Sequence, residues 1–434
     1  MSERAAALVI GAGTGGLSAA AYLARGGLHT LVLEAANAPP EPCEALVALD
    51  PRMVTELRLA ALGLSFSARD LPIAVGGQQP LLLGRDLHAA SAALAKFSDA
   101  DALAWPVYRR QLTVEARRLR RWWWTAPDAA TPDTPWSAGA RHGFQRLCLS
   151  GADAYLGARF ETPALLAALL WDASAGGFSV SEPGSALALI WRAAQETAGL
   201  QEAATIARPG TLVSALTRAL GLAQLRTGMR VTGIHSRSGA VTGVTLADGS
   251  QIEADHVVST LPRWDTLSLA GLTHPAPAIG EAQLLLRLGT DFVLEPARHV
   301  LDLPSGAFAD AHEAARAGRI AEALPMEWVM LAPDRIAVIA RPVPAVLDAE
   351  QRARLVAQAV FMLSRSLPGV AAALTGFEIR VRPQRAKLAD LLSPPSERVM
   401  TPIKGLVLAG EDAEPLPAIS GRAGRLAARH ILSL

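Results

Sequence analysis

Val9-Ile10-Gly11-Ala12-Gly13-Thr14-Gly15-Gly16-Leu17 leaves an apolar strand, passes through a glycine-rich turn and enters a helix of small residues that lasts to Arg25. After Gly26-Gly27, the stretch His29-Thr30-Leu31-Val32-Leu33 reads as a second strand and closes on Glu34, 23 residues beyond Gly11. Strand, turn, helix, strand and terminal acid stand in the order of a βαβ unit that grips a dinucleotide. Gly11 permits the tight turn, Gly13 lets the backbone approach a pyrophosphate, and Gly16 lets helix and strand pack closely. The helix start supplies free N–H groups and partial positive charge for the phosphates. Glu34 is placed to accept hydrogen bonds from ribose hydroxyls and disfavours a 2′-phosphate, so FAD or NAD is favoured over NADP.

Working outward, Asn37-Ala38-Pro39-Pro40-Glu41-Pro42 excludes a helix or a central strand. A helix is expected from Asp50-Pro51, with Asp50 as cap and Pro51 in the first turn. Residues 78–86 suggest a hairpin or strand end. Helix is expected over Ala89–Trp124, broken near Ser98-Asp99 and at Pro106, then over Pro163–Ala173, Gly184–Thr197 and Thr211–Leu222. Successive strands follow at Gln224–Thr227, Arg230–Ser236, Ala240–Leu246 and His256–Ser259, with Asp248-Gly249 as a hairpin turn. The last of these would return to the first sheet. Further strands are expected at Gln283–Leu288, Met326–Leu331 and Arg335–Ile339, then a helix over Glu350–Ser366. The chain closes with a strand at Gly405–Ala409 and a helix over Ser420–Ile431. Residues 1–75, 205–265 and 395–434 would therefore build a discontinuous nucleotide part, and residues 80–200 and 270–390 a substrate or cap part.

The 434 residues suffice for two or three domains around substantial cores. Half are hydrophobic and 19% are charged, which suits an α/β protein with a large core or an apolar cavity. A formal net charge of +1 gives no reason to expect nucleic acid as a partner. Cys43 and Cys148 form neither a disulfide framework nor a CxxC pair, so a reducing, cytoplasmic compartment is expected. No signal peptide or bilayer-spanning run is read.

The sequence resembles the phytoene desaturase-like branch of FAD-dependent oxidoreductases, which includes carotenoid desaturases, isomerases and retinol saturase. The likeness rests on Val9 to Ala24 with Leu31-Val32-Leu33-Glu34-Ala35, on Gly239 to Gly249 with Val257-Val258-Ser259, and on two C-terminal pieces. These are Thr401-Pro402-Ile403-Lys404-Gly405-Leu406-Val407-Leu408-Ala409-Gly410 and Ile419-Ser420-Gly421-Arg422-Ala423-Gly424-Arg425-Leu426-Ala427-Ala428. The resemblance implies a Rossmann-like α/β FAD-binding domain of the glutathione-reductase type, with an inserted α+β substrate or cap domain. It implies that Gly11, Gly13, Thr14, Gly15 and Gly16 hold the FAD pyrophosphate and Glu34 the adenosine ribose. Val231 would lie near the adenine, Gly410 and Glu411 near phosphate or ribityl, and Ile419 and Ser420 near the flavin ring. Val231 as core and Ser420 as a helix cap are the plainer readings of those two residues.

Three loops depart from the family pattern. A basic residue and a Gly-Gly pair are replaced by Asn37 to Pro42. The mid-chain turn is reduced to Arg208-Pro209-Gly210-Thr211. The C-terminal loop becomes Glu411-Asp412-Ala413-Glu414-Pro415-Leu416-Pro417-Ala418. Proline removes donors and carboxylates repel phosphate, so two readings stand. One is an FAD-dependent oxidoreductase acting on a hydrophobic polyene or lipid-like substrate. The other is a flavoprotein-like scaffold that has lost FAD and binds a partner or an apolar ligand. An NAD-linked enzyme ranks below both.

No Ser-His-Asp arrangement and no metal-spaced His/Cys cluster is visible, and no general base is assigned. His142, His235, His256 and His430 are scattered. The apolar composition favours a substrate that offers mainly apolar area for burial. Arg109 to Trp124, rich in arginine and ending in three tryptophans, fits a peripheral membrane contact, a partner-protein surface, or a cap helix with its tryptophans in the core.

Overall fold

The computed structural model describes residues 3–40, 51–65, 67–68, 71–76, 80–124, 141–190, 193, 204–205, 211–384, 395–410, 413 and 421–433. Two seven-stranded sheets organise the chain. The first starts with β1 (Glu3–Ile10) and β2 (Thr30–Leu33), joined by the helix Thr14–Arg25. Ala19, Ala20 and Ala21 on that helix are fully buried, as are Val9 and Val32 on the strands. Small side chains on the helix let it lie close to the sheet.

β1 is flanked by β2 on one side and by β10 (Gln251–Ser259) on the other, both parallel to it. β7 (Gln224–Arg226) extends the sheet beyond β2, and β16 (Leu406–Leu408) runs parallel to β10. β8 (Val231–Arg237) and β9 (Ala240–Leu246) form an antiparallel ribbon that continues from β10. Because the chain leaves β1 to build on both sides, the carboxyl end of β1 is a crevice of the kind where doubly wound sheets take ligands. The return of Val257-Val258-Ser259 to the sheet beside β1 is as expected from the sequence.

The second sheet has the order β15-β11-β14-β13-β12-β4-β5. Its members are β4 (Ile73–Val75), β5 (Leu81–Leu83), β11 (Ile279–Leu288), β12 (Arg298–Val300), β13 (Met326–Ala332), β14 (Arg335–Pro344) and β15 (Leu374–Pro383). A two-residue pair, β3 (Ser67–Ala68) with β6 (Ala204–Thr205), completes the strands. β5 supplies the strand end expected over residues 78–86, its hairpin partner is the earlier β4, and β4 lies in this second sheet within the residues expected to join the first. Helices Ser305–Arg316 and Ala349–Ser364 cover one core around β11, β13 and β14. A separate core packs helices Leu87–Leu94, Asp99–Trp124 and Pro163–Ala173 around β4, β5 and Val300.

One helix expectation needs correction. Asp99–Trp124 is one helix with Pro106 inside it, not a helix broken there. The proline forfeits one main-chain bond, but Trp105, Tyr108 and Leu112 are buried on the same face and hold both halves in register. The break near Ser98 is present, and the Ser98 hydroxyl accepts from Asp101 N–H at 3.2 Å, starting the new helix. β15 and helix Ser305–Arg316 were not anticipated from the sequence.

Candidate functional site

At the carboxyl end of β1 the backbone turns sharply. Gly11 sits at φ +92°, and a Cβ added there would stand 2.1 Å from Thr260 Oγ1. Thr260 follows β10 directly. Its hydroxyl and its N–H both donate to Ile10 O at 2.9 Å, so the ends of the two central strands are tied. A Cβ on Gly16 would meet Gly11 O at 2.0 Å, and one on Gly15 would meet Ala409 O at 1.9 Å. These glycines are required by the protein's own packing.

Gly13 differs from them. It caps the helix Thr14–Arg25 with extended backbone (φ −67°, ψ 176°), and a Cβ built on it meets no atom of the described residues within 4 Å. Thr14 opens the helix, whose first N–H groups have no intrahelical acceptor. Open space beside free donors at the positive end of a helix is what an approaching pyrophosphate requires.

Glu34 is 8% exposed. Its Oε2 accepts from Ala12 N–H at 2.7 Å and its Oε1 from Ala36 N–H at 2.9 Å. The two amides fix the carboxylate against the glycine turn and leave each oxygen further accepting capacity for a ribose hydroxyl. The loop before β8 is drawn to the same place, for Met229 N–H donates to Glu34 O and Gly228 N–H to Ala36 O, both at 2.8 Å. Val231, two residues on, is 9% exposed and packs with Leu8, Leu31 and Leu33. Val231 is thus buried in the core, and its chain neighbours Gly228 and Met229 reach Ala36 and Glu34.

The C-terminal helix Arg422–Leu432 lies directly on the glycine turn. A Cβ on Gly424 would stand 2.0 Å from Gly15 O, and Ser18 Oγ donates to Gly15 O and to Gly421 O at 3.0 Å. Arg425 locks this helix by a bidentate pair to Glu56 at 2.7 Å. The Arg425 hydrogen bond outweighs burial and holds the Glu56 carboxyl below its ordinary range. Gly410 is buried, and its Cβ would approach Thr260 O at 2.5 Å. Glu411, Ile419 and Ser420 lie outside the described residues, as do residues 41–50 and Arg208-Pro209-Gly210. Sequence reasoning missed Thr260, Ala12 N–H and the Glu56–Arg425 lock. Thr260 carried one usable signal, its place at the end of a strand expected beside β1.

Between the second sheet and helix Pro163–Ala173 lies a buried polar network. Trp171 Nε1 donates to Glu327 Oε2 at 2.7 Å, and Arg298 donates to Glu327 and, at 3.4 Å, to Asp172. Arg341 donates to Glu281 at 3.0 Å and to Trp171 O at 2.8 Å while stacking over the Trp171 ring. Burial alone would lower the Arg298 pKa, but the Glu327 and Asp172 charges raise it. Burial likewise opposes ionisation of Glu281, and the Arg341 and Arg382 charges overcome it. The network pairs each buried ion and braces the helix against the sheet. Among the described residues, no group of three or more His, Cys, Asp or Glu side chains could hold a metal, and no helix is long and apolar enough to cross a membrane.

The profile of the family described as flavin containing amine oxidoreductase matches residues 56–287, and that of the NAD(P)-binding Rossmann-like domain matches residues 9–39. The chain is 30% identical over 316 residues to pyridine nucleotide-disulfide oxidoreductase domain-containing protein 2 of Mus musculus, a match covering 58% of this chain and 52% of that protein. The chain thus spans about half the length of this curated relative. An oxidoreductase from Methanosarcina mazei superposes with a TM-score of 0.63 at 14% identity, over 99% of this chain and 100% of that one. Putrescine oxidase bound to putrescine gives 0.60 at 14% identity, over 99% and 98%. Likeness at this level establishes a shared fold: a Rossmann-like domain with an additional substrate or cap domain.

Proposed function

Because the chain belongs to the flavin containing amine oxidoreductase family, we propose that it is an FAD-dependent oxidoreductase acting on a small organic substrate. The observation that carries this reading is the open side of Gly13 above the start of its helix, next to a Glu34 carboxylate already oriented by Ala12 N–H. Gly11, Gly13, Thr14, Gly15 and Gly16 would hold the pyrophosphate, Glu34 the ribose, and Gly410, Glu411, Ile419 and Ser420 the remainder of the cofactor. Bound FAD supplies a two-electron acceptor for hydride leaving carbon. The chain's own residues then position the substrate and exclude water, and the buried charged network stiffens the wall of the substrate part.

Residues 1–75, 205–265 and 395–434 are assigned to the cofactor part, except that β4 goes with residues 80–200 and 270–390 in the substrate part. Within the family the chain is placed in the phytoene desaturase-like branch, on the terminal motifs around Gly11 and Gly410. The substrate is assigned as hydrophobic, polyene or lipid-like, supported by a chain that is half hydrophobic. A peripheral membrane contact through Arg109–Trp124 fits such a substrate. Arg110 and Arg117 on that helix face outward beside Val107 and Val114.

Anaerobic addition of polyene hydrocarbons, and separately of primary amines, to the FAD-loaded protein tests the reading through the flavin absorbance. Bleaching by a polyene supports it in full. Bleaching by amines alone supports the oxidoreductase and refutes the substrate class. No binding of FAD returns the cofactor-free scaffold.

A further inference from the structure

β15 (Leu374–Pro383) ends the second sheet, and among the described residues no strand lies on its outer side. It pairs with β11 from Gly280 opposite Pro383 to Arg287 opposite Gly376 and, beyond a bulge at Thr375, again at Leu288 opposite Leu374. Gln384 N–H donates to Ile279 O at 2.9 Å, so the even-numbered amides of this segment face β11. The N–H groups of Phe377, Ile379 and Val381 therefore point off the sheet. The regular edge from Gly376 to Pro383, with Phe377 51% exposed, is a template for another strand. Its only proline is the terminal Pro383.

We propose that β15 pairs antiparallel with β15 of a second copy of this chain, about a twofold axis through Ile379. The outward groups all belong to odd-numbered residues and must meet their like, so the axis has to fall on a residue. Centred on Ile379, it sets Glu378 opposite Arg380 of the partner subunit, twice by symmetry. On the other face Phe377 meets the partner subunit's Val381. Centred one residue earlier it opposes Glu378 to itself, and one residue later Arg380 to itself. Like charges directly opposite are destabilising and opposite charges favourable, so one register is selected. Arg287 on β11 already pairs with Glu378, and both are exposed, so the new contact extends a charge ladder across the dimer.

Sedimentation and light scattering of the full chain, alone and as charge variants, test the pairing. The wild type is expected to be a dimer. Arg380→Glu opposes four carboxylates in two pairs, and Glu378→Arg opposes four guanidinium groups in the same way, so each variant alone is expected to be monomeric. Mixing the two variants restores both opposite-charge pairs and is expected to restore the dimer. Melting temperatures of the variants at low concentration, compared with wild type at the same concentration, check that each is folded. The amides of Phe377, Ile379 and Val381 should exchange slowly with deuterium in the dimer and fast in either variant alone. A monomeric wild type, a dimer that survives either reversal, or a mixture that stays monomeric would overturn the proposal.

Discussion

Gly11 and Gly13 stand two residues apart and serve opposite needs. A side chain on Gly11 would strike Thr260 and force a residue with a Cβ to φ +92°. Gly11→Ala is expected to destabilise the protein without cofactor by on the order of 3 kcal/mol, read from urea unfolding. An unchanged midpoint would mean that the tie between β1 and β10 is loose. His299 offers a second test at this scale. Its ring stacks on Trp328 at 3.9 Å, and its Nε2 has no hydrogen-bond partner among the described residues. Burial pushes its pKa down to about 4 from 6.5. The folded state thus resists a proton that the unfolded chain accepts. Stability is full above pH 6.5 and is lost as the pH falls toward 4, by at most roughly 3 kcal/mol. His299→Phe keeps the stack and is expected to flatten that part of the stability curve. An identical slope in the variant would remove the assignment.

Among the elements, the C-terminal helix matters most to the candidate site because it touches the glycine turn through backbone atoms. Its lock is Arg425, whose side chain is 7% exposed, against Glu56, whose side chain is 40% exposed. Glu56→Ala withdraws the bidentate carboxylate from a buried guanidinium and is expected to cost about 2 kcal/mol after allowance for the exposed side of Glu56. Faster amide exchange in Arg422–Leu432 should accompany it, and unchanged exchange there would show that the helix is held by other contacts. Elements with strong patterns were readable beforehand. Val257-Val258-Ser259 is wholly apolar or small because both faces are covered, whereas the reciprocal cap of Asp348 and Gln351 at the start of the helix Ala349–Ser364 became visible only in the structure. Helix Ser305–Arg316 was not readable, because its buried face is mostly alanine (Ala307, Ala311, Ala314 and Ala315) and contrasts weakly with the exposed side. β15 alternates Phe377, Ile379 and Val381 with charged residues, a strand signal overlooked beside the preceding helix.

At the scale of the whole molecule, the first sheet gathers strands separated by hundreds of residues. β1 lies beside β10, and β10 lies beside β16. The sequence could announce the first βαβ unit because its chemistry is local, written in the spacing from Gly11 to Glu34. It could not announce the Thr260 tie, the amide clamp on Glu34 or the ion network beneath Trp171. Those depend on which distant strand arrives beside which. The same dependence gives the molecule its central functional claim, that this assembled turn receives FAD. Calorimetric titration of FAD into wild type and Gly13→Ala tests it most directly, since a methyl on Gly13 touches no atom of the described residues. One FAD per wild-type chain is expected, with affinity at least about tenfold weaker in Gly13→Ala, roughly 1.4 kcal/mol, and the same melting temperature for the two proteins without cofactor. No binding to wild type, or equal affinity in Gly13→Ala, would contradict it.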